Sequence, residues 1–233
     1  MTLALVLGAG GTHAAFEVGA VRWLTDHGYE YSIICGTSGG ALNASRLAEG
    51  EIAGSDPAIA RLERDWLALR NDADMWQPKP WLSRLGMDQQ KLLRDSSLWD
   101  NIPWVFLGVK LLAGFVGAVD CKDFVDTLKA GLGDDSLFSM DPIRARLQAT
   151  PASGGLNVSA IANSVIRMRL ATVGLDSGRL RWIDNAGNLL DAAGQPVAGA
   201  ASIPLTEGVL ASAAIPVVFD PSLSTVSASP MVA

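Results

Sequence analysis

A serine stands among glycines at residues 36–40, "GTSGG", inside the longer stretch "IICGTSGGALNA" at 33–44. The five residues fit G-x-S-x-G, the pattern of a nucleophile elbow, in which a sharp turn between strand and helix holds a serine hydroxyl clear of the backbone. Chance alone supplies about 0.2 such matches in a chain of this composition, so the pattern has weight only where its surroundings comply. Here they do. Tyr31 to Cys35 reads as a short apolar strand, Gly36 to Gly40 as the turn and Ala41 to Glu49 as a helix. Gly36 and Gly40 leave room where side chains would crowd the turn. The helix N-terminus behind Ser38 favours the negative charge that develops in acyl transfer. The plainer alternative is a tight turn made of residues that suit turns.

An acyl-transfer serine also needs an oxyanion hole and a base. "LGAGGTH", Leu7 to His13, closes a first apolar run and opens a helix, so its amide N–H groups can converge on an anion. Gly10 and Gly11 are the expected donors, because a residue without Cβ lets the backbone approach substrate. Glycine loops that follow two successive strands belong at the same end of a parallel sheet, side by side. The chain has two histidines, His13 and His27, and both precede Ser38. The α/β-hydrolase order, with histidine after serine, is therefore impossible. A reversed order with His13 as base stays open, although a surface or helix-end role is the simpler reading of either ring. The remaining arrangement is a carboxylate acting on the serine directly, a Ser–Asp dyad.

The elements that must position these groups are those of a doubly wound α/β domain. Leu3 to Leu7 is a continuous apolar run, as expected of a strand covered on both faces. In "AAFEVGAVRWLTDHG", Phe16, Ala20, Trp23 and His27 recur at helical spacing, and Gly28 suits the left-handed end of the helix. Gly50 closes the helix after Ser38 in the same way, and Asp56 to Arg70 predicts another amphipathic helix. Residues 71–120 change character, with prolines, glycines and Trp76, Trp81, Trp99 and Trp104, and read as a cap or insertion. Beyond them a helix is expected near Pro142 to Gln148 and an apolar strand at Leu156 to Ala162. "RMRLATVGLDSGRLRWIDNAGNLLD" reads as strands joined by Gly- and Asn-containing turns.

With 233 residues, 49% of them apolar and 18% charged, the chain is expected to form one substantial domain over 1–233. A net charge of −6 and a pI near 4.9 argue against a nucleic-acid partner, which asks for a basic stripe. Cys35 and Cys121 are too few for a disulfide framework. Pro103 to Val119 is strongly apolar but holds Lys110 and falls short of the roughly 20 residues of a membrane span. The expectation is a soluble, cytoplasmic chain that can touch a membrane peripherally through this stretch and its tryptophans, the alternative being an ordinary buried helix.

Taken together, the motifs resemble the patatin-like phospholipase family. "LVLGAGGTHAAFEVGAVRWL" is similar to its glycine-rich segment and first helix, and "GTSGGALNA" to its elbow. "DDSLFSMDPIRARL" and "LNVSAIANS" are similar to its middle segments, and "VLASAAIPVVF" to its late helix–proline–strand passage. The resemblance implies a three-layer α/β/α sandwich with a mostly parallel central sheet. It implies Ser38 as nucleophile, Gly10 and Gly11 as the oxyanion hole, and hydrolysis of lipid or other esters, phospholipase or lysophospholipase A in type. An acyl-Ser38 intermediate is implied, with no metal and no cofactor. The sequence departs from the family where Ala9, His13 and Ala14 replace two glycines and a basic residue of the loop. The family's aspartate lies in a D-G pair after "ASAAIP", and no aspartate here precedes glycine, so the family's C-terminal part is expected to be lacking. Asp220, in "FDP", is the nearest candidate base, and a turn is its other reading. Three alternatives compete: a lipid-binding or regulatory domain with an impaired site, an acyltransferase using the same serine, and a dinucleotide site at "GAGGTH". The last lacks its third glycine and an acidic ribose ligand.

Overall fold

The computed structural model describes residues 3–80, 136, 138–174, 177–215 and 218–219. In chain order these form β1 (Ala4–Leu7), α1 (Ala14–Asp26), β2 (Ile33–Gly36), α2 (Gly39–Ala48), α3 (Ala58–Leu67), β3 (Gln77–Pro78) and β4 (Phe138–Ser139). Then follow α4 (Asp141–Gln148), α5 (Val158–Ala162), β5 (Arg167–Val173), β6 (Leu180–Ile183), β7 (Leu189–Leu190) and α6 (Leu205–Ala213). The described residues fall into two compact units, 3–68 with 146–214, and 69–80, 136 and 138–145 with 215 and 218–219.

The first unit is built on a five-stranded sheet in the order β1-β2-β5-β6-β7. β1 to β2 and β2 to β5 pair in parallel, with Leu7 opposite Gly36 and Gly36 opposite Leu170. β5 to β6 and β6 to β7 are antiparallel hairpin pairings. The sheet is thus mixed: the three strands that matter for the site are parallel, and the two beyond them turn back through the short Gly- and Asn-containing loops legible in the sequence. Because Leu7 and Gly36 are register partners in parallel strands, the loops that follow them leave the sheet at the same end.

Leu7, Ile34, Met168, Leu170 and Ile183 are buried on one side of the sheet. Each contributes on the order of 2 kcal/mol by leaving water. Helix α2 packs against β1, β2 and β5, and α6 packs against α2 and β5. β1 is not covered on both faces, as its apolar run suggests: Val6 is 73% exposed. Val6 points away from α2, which packs on the face that holds Leu7 and Gly36, and among the described residues β1 is an edge strand. On α1 the buried stripe is Ala14, Val18 and Val21, while the helically spaced Phe16, Ala20, Trp23 and His27 are exposed. Leu156 to Ala162 is not a strand. Its last five residues are α5, started by Asn157, whose side-chain oxygen accepts from the Ala160 N–H at 3.0 Å. An Asn N-cap outweighs the strand propensity of a short apolar run.

α2 is buried along almost its whole length, polar residues included. Arg46 donates to Glu49 at 2.7 Å, to Asp65 at 2.6 Å and to the carbonyls of Gly154 and Gly155. Glu49 also pairs with Arg61 and accepts the Asn157 N–H. Charges removed from water persist only when so fully paired. Burial pushes the Asp65 carboxyl up, and the adjacent Arg46 partly opposes it.

Asn185, in the β6–β7 turn, holds the start of β5 in place. Its side-chain oxygen accepts the Met168 N–H at 2.7 Å, and its amide donates to the Ile161 and Ile166 carbonyls at 2.9 Å each. Asn185→Ala leaves the N–H of the fully buried Met168 without that acceptor. We expect a loss of about 2 kcal/mol, read as a lower midpoint of chemical unfolding.

In the second unit β3 pairs antiparallel with β4, Gln77 opposite Ser139. Trp76 and Phe138 tilt against Phe219 with ring centroids 5.7 and 6.3 Å away. Trp76 is therefore a core residue. Trp81, Trp99, Trp104, the stretch Pro103 to Val119, and Cys121 lie outside the described residues. Among the described residues no helix is long and apolar enough to cross a membrane.

Candidate active site

β2 ends at Gly36, and the chain turns at Thr37 and Ser38 before α2 begins at Gly39. Ser38 has φ 55° and ψ −126°. It is the one non-glycine residue with positive φ among the described residues. Such a conformation costs roughly 1–3 kcal/mol and persists only where the surroundings enforce it. Enforcement is visible on both sides. The Thr37 N–H donates to the Leu7 carbonyl at 3.2 Å and the Gly40 N–H to the Gly8 carbonyl at 3.1 Å. The Ser38 N–H donates to Ser212 at the end of α6, to its carbonyl at 3.2 Å and its hydroxyl at 3.3 Å. Ser38 occupies the N-cap position of α2, yet its side chain makes no capping hydrogen bond. Ser38 as a whole is half-buried.

The elbow and the glycine loop touch directly. A Cβ on Gly40 would lie 2.5 Å from the Leu7 carbonyl oxygen and 2.6 Å from that of Gly8. One on Gly39 would lie 2.7 Å from the Gly11 carbonyl oxygen and 2.6 Å from the Ala14 Cβ. Gly36 is tight against Gly40 and Ala44 in the same way. The structure thus brings Ser38, Gly10, Gly11, Gly36 and Gly40 into one neighbourhood. Gly39 belongs with them, although the G-x-S-x-G pattern passes over it.

In the loop itself Gly10 is extended and Gly11 left-handed at φ 53°, opening a single 3-10 turn through His13 into α1. Among the described residues neither the Gly10 nor the Gly11 N–H has a hydrogen-bond acceptor. The histidines are engaged locally. His13 Nδ1 donates to the Gly10 carbonyl at 3.2 Å, bracing the loop. His27 Nδ1 donates to the Trp23 carbonyl at 2.8 Å, and its ring stacks on the Trp23 indole at 4.0 Å. Burial pushes the thiol of Cys35, three residues before Ser38, above its usual range, with Arg169 pulling more weakly the other way. Asp220 lies outside the described residues.

Three side chains that the motifs do not flag also line this region. Glu17 of α1 accepts the Gly8 N–H at 2.6 Å, and Asn43 of α2 donates to Glu17 at 3.0 Å. Ser212 is the third. Its "ASAAIP" context marks it only through the family resemblance, and hydrogen bonding across 174 positions leaves no local trace in sequence.

The family model described as patatin-like phospholipase matches residues 5–227, nearly the whole chain. The chain belongs to the patatin-like phospholipase family. No curated protein and no solved structure matches it. Patatin-like phospholipases share an α/β fold of the three-layer sandwich class, to which the five-stranded sheet and its helices conform. At the level of the family the activity is lipid acyl hydrolysis, acting on lipid esters. Two of this chain's departures from the patatin-like loop have visible consequences. Ala14 is 2% exposed and packs beside Gly39, where the Gly39 Cα leaves just enough space. His13 hydrogen-bonds to its own loop through Nδ1.

Proposed function

We propose that this chain is a serine acyl hydrolase of lipid esters, phospholipase or lysophospholipase A in type, with Ser38 as nucleophile. Ser38 Oγ attacks the ester carbonyl carbon, and its proton passes to a carboxylate base, for which Asp220 is the candidate. The carbonyl oxygen becomes an oxyanion held by the Gly10 and Gly11 N–H groups, assisted by the N-terminus of α2. Collapse breaks the ester C–O bond and returns the proton to the departing alcohol. The acyl-Ser38 ester is then hydrolysed by water along the same route, which regenerates the hydroxyl and releases the fatty acid. No metal or cofactor enters these steps. Phe16, 81% exposed in the first turn of α1, places an apolar side chain next to the glycine loop, as a lipid substrate would require.

The observation that carries this reading is the left-handed backbone at Ser38, held with its hydroxyl free of capping. A fluorophosphonate probe should attach covalently to the protein, and peptide mass mapping should place the adduct on Ser38. Hydrolysis of short-chain esters and of phosphatidylcholine vesicles, followed on the same preparation, should be lost as labelling proceeds. Absence of any adduct at Ser38 would overturn the reading.

A further inference from the structure

Gly8 is the hinge between the sheet and the glycine loop, and both sides of its backbone are held. Its carbonyl accepts from Gly40 at 3.1 Å, which ties it to the elbow. Its N–H donates to Glu17 Oε1 at 2.6 Å, a short contact of the charge-assisted kind. Glu17 sits in the first turn of α1, where the positive end of the helix favours a carboxylate. Its other oxygen, Oε2, accepts from Asn43 Nδ2 at 3.0 Å. The same amide donates to the Ala14 carbonyl at 2.9 Å, and Asn43 Oδ1 accepts the Trp66 indole N–H at 2.7 Å. Asn43 is fully buried, about one and a half turns along α2 from Ser38.

This chain of bonds links the loop, α1, α2 and α3. At its centre two donors, the Gly8 N–H and the Asn43 amide, converge on one side chain. A carboxylate satisfies both, because each of its oxygens accepts; a carboxamide offers one acceptor and one donor. We propose that Glu17 is a positioning residue for the oxyanion loop: through Gly8 it sets the distance between the loop N–H groups and Ser38, and Asn43 holds it in register. The inference rests on the reading of Gly10 and Gly11 as oxyanion donors. An oxyanion hole acts on the transition state far more than on bound substrate, so its misplacement lowers kcat and leaves KM nearly unchanged.

The test compares wild type, Glu17→Gln, Asn43→Asp and the double variant. Measured are the rate of fluorophosphonate attachment at Ser38, kcat and KM for a short-chain ester, and the unfolding midpoint. In E17Q the new NH2 faces the Asn43 NH2, and labelling and kcat should fall about 10- to 100-fold with KM within about twofold. N43D sets two carboxylates together and should also be slow. The double variant restores a donor–acceptor pair, with the carboxamide now on α1 donating to the carboxylate now on α2. Because the Ala14 carbonyl loses its Asn43 donor in both N43D and the double variant, the comparison is with N43D, over which the double variant should regain at least about tenfold. If E17Q does not fold, recovery of the rates in a folded double variant still supports the proposal, and a folded double variant no faster than N43D overturns it. Equal rates in wild type and E17Q, or losses that follow stability alone without recovery in the double variant, overturn it as well. A wild type that does not react at Ser38 instead sinks the underlying reading of the site, so the two failures are distinguishable.

Discussion

Ser38→Gly should produce a protein that is catalytically silent and more stable than wild type. The reasoning starts from the backbone. At φ 55° and ψ −126° the serine Cβ is crowded by its own peptide groups, whereas glycine adopts this conformation freely. The hydroxyl caps nothing, so its removal forfeits no hydrogen bond to α2. Relief of strain should therefore appear as a gain of about 1 kcal/mol, a rise of roughly 2–4 °C in Tm for a chain of this size. Ser38→Ala keeps the Cβ and with it the strain, so its Tm should stay near that of wild type. Both substitutions remove the proposed nucleophile, and kcat should fall on the order of 10⁴-fold or more in each. Thermal melts and ester turnover on the three proteins check this. If S38G proves no more stable than S38A, the elbow is not strained.

Gly40→Ala should damage stability and chemistry together. The added methyl would sit 2.5 Å from the Leu7 carbonyl oxygen and 2.6 Å from the Gly8 carbonyl oxygen and the Leu7 carbonyl carbon. These are backbone atoms at the end of β1, fixed by the Thr37 and Gly40 N–H donors, and have no rotamer to move to. The strand end and the elbow must therefore separate to reach ordinary contact. We expect a loss of about 3 kcal/mol in unfolding free energy. The same separation pulls the glycine loop from Ser38, and fluorophosphonate labelling should slow by about 100-fold or more in the folded fraction. Full labelling with normal stability would mean that the contact is looser than it stands.

Both predictions rest on α2 as the fixed body of the site. Its polar groups are paired inside the protein, Arg46 and Glu49 with each other and with α3, Asn43 with α1 and Trp66. A helix so anchored cannot shift to accommodate a poorly placed loop, so errors at the elbow remain at the elbow. The same rigidity explains how a single left-handed serine is tolerated, the strain being opposed by contacts made elsewhere.

Much of the candidate site's backbone can be read from residue order alone, because its signals are local. Glycines flanking a serine, an apolar run before them and a helical run after them specify a turn whose dihedrals only a few residues accept. Two histidines placed ahead of that serine exclude one catalytic order outright. Gly28 and Gly50 end their helices with φ of 74° and 64°, as their places in the pattern indicate. Short-range propensity misleads where a cap or an edge intervenes. Leu156 to Ala162 is apolar enough for a strand, yet Asn157 starts a helix there, and the run Leu3 to Leu7 cannot reveal that, among the described residues, β1 has a neighbouring strand on one side only.

What tertiary structure decided is the set of partners. Phe16 and Trp23 share a helical stripe, but which stripe of α1 is buried depended on α2 and α3, and it is Ala14, Val18 and Val21 that meet them. Ser212 binds the Ser38 amide from 174 residues away, and Glu17 meets Gly8 only because α1 folds back beside its own loop. Hydrogen bonds of that kind join groups by distance in space. Residue order encodes the turn that presents a hydroxyl, and folding alone determines what stands around it.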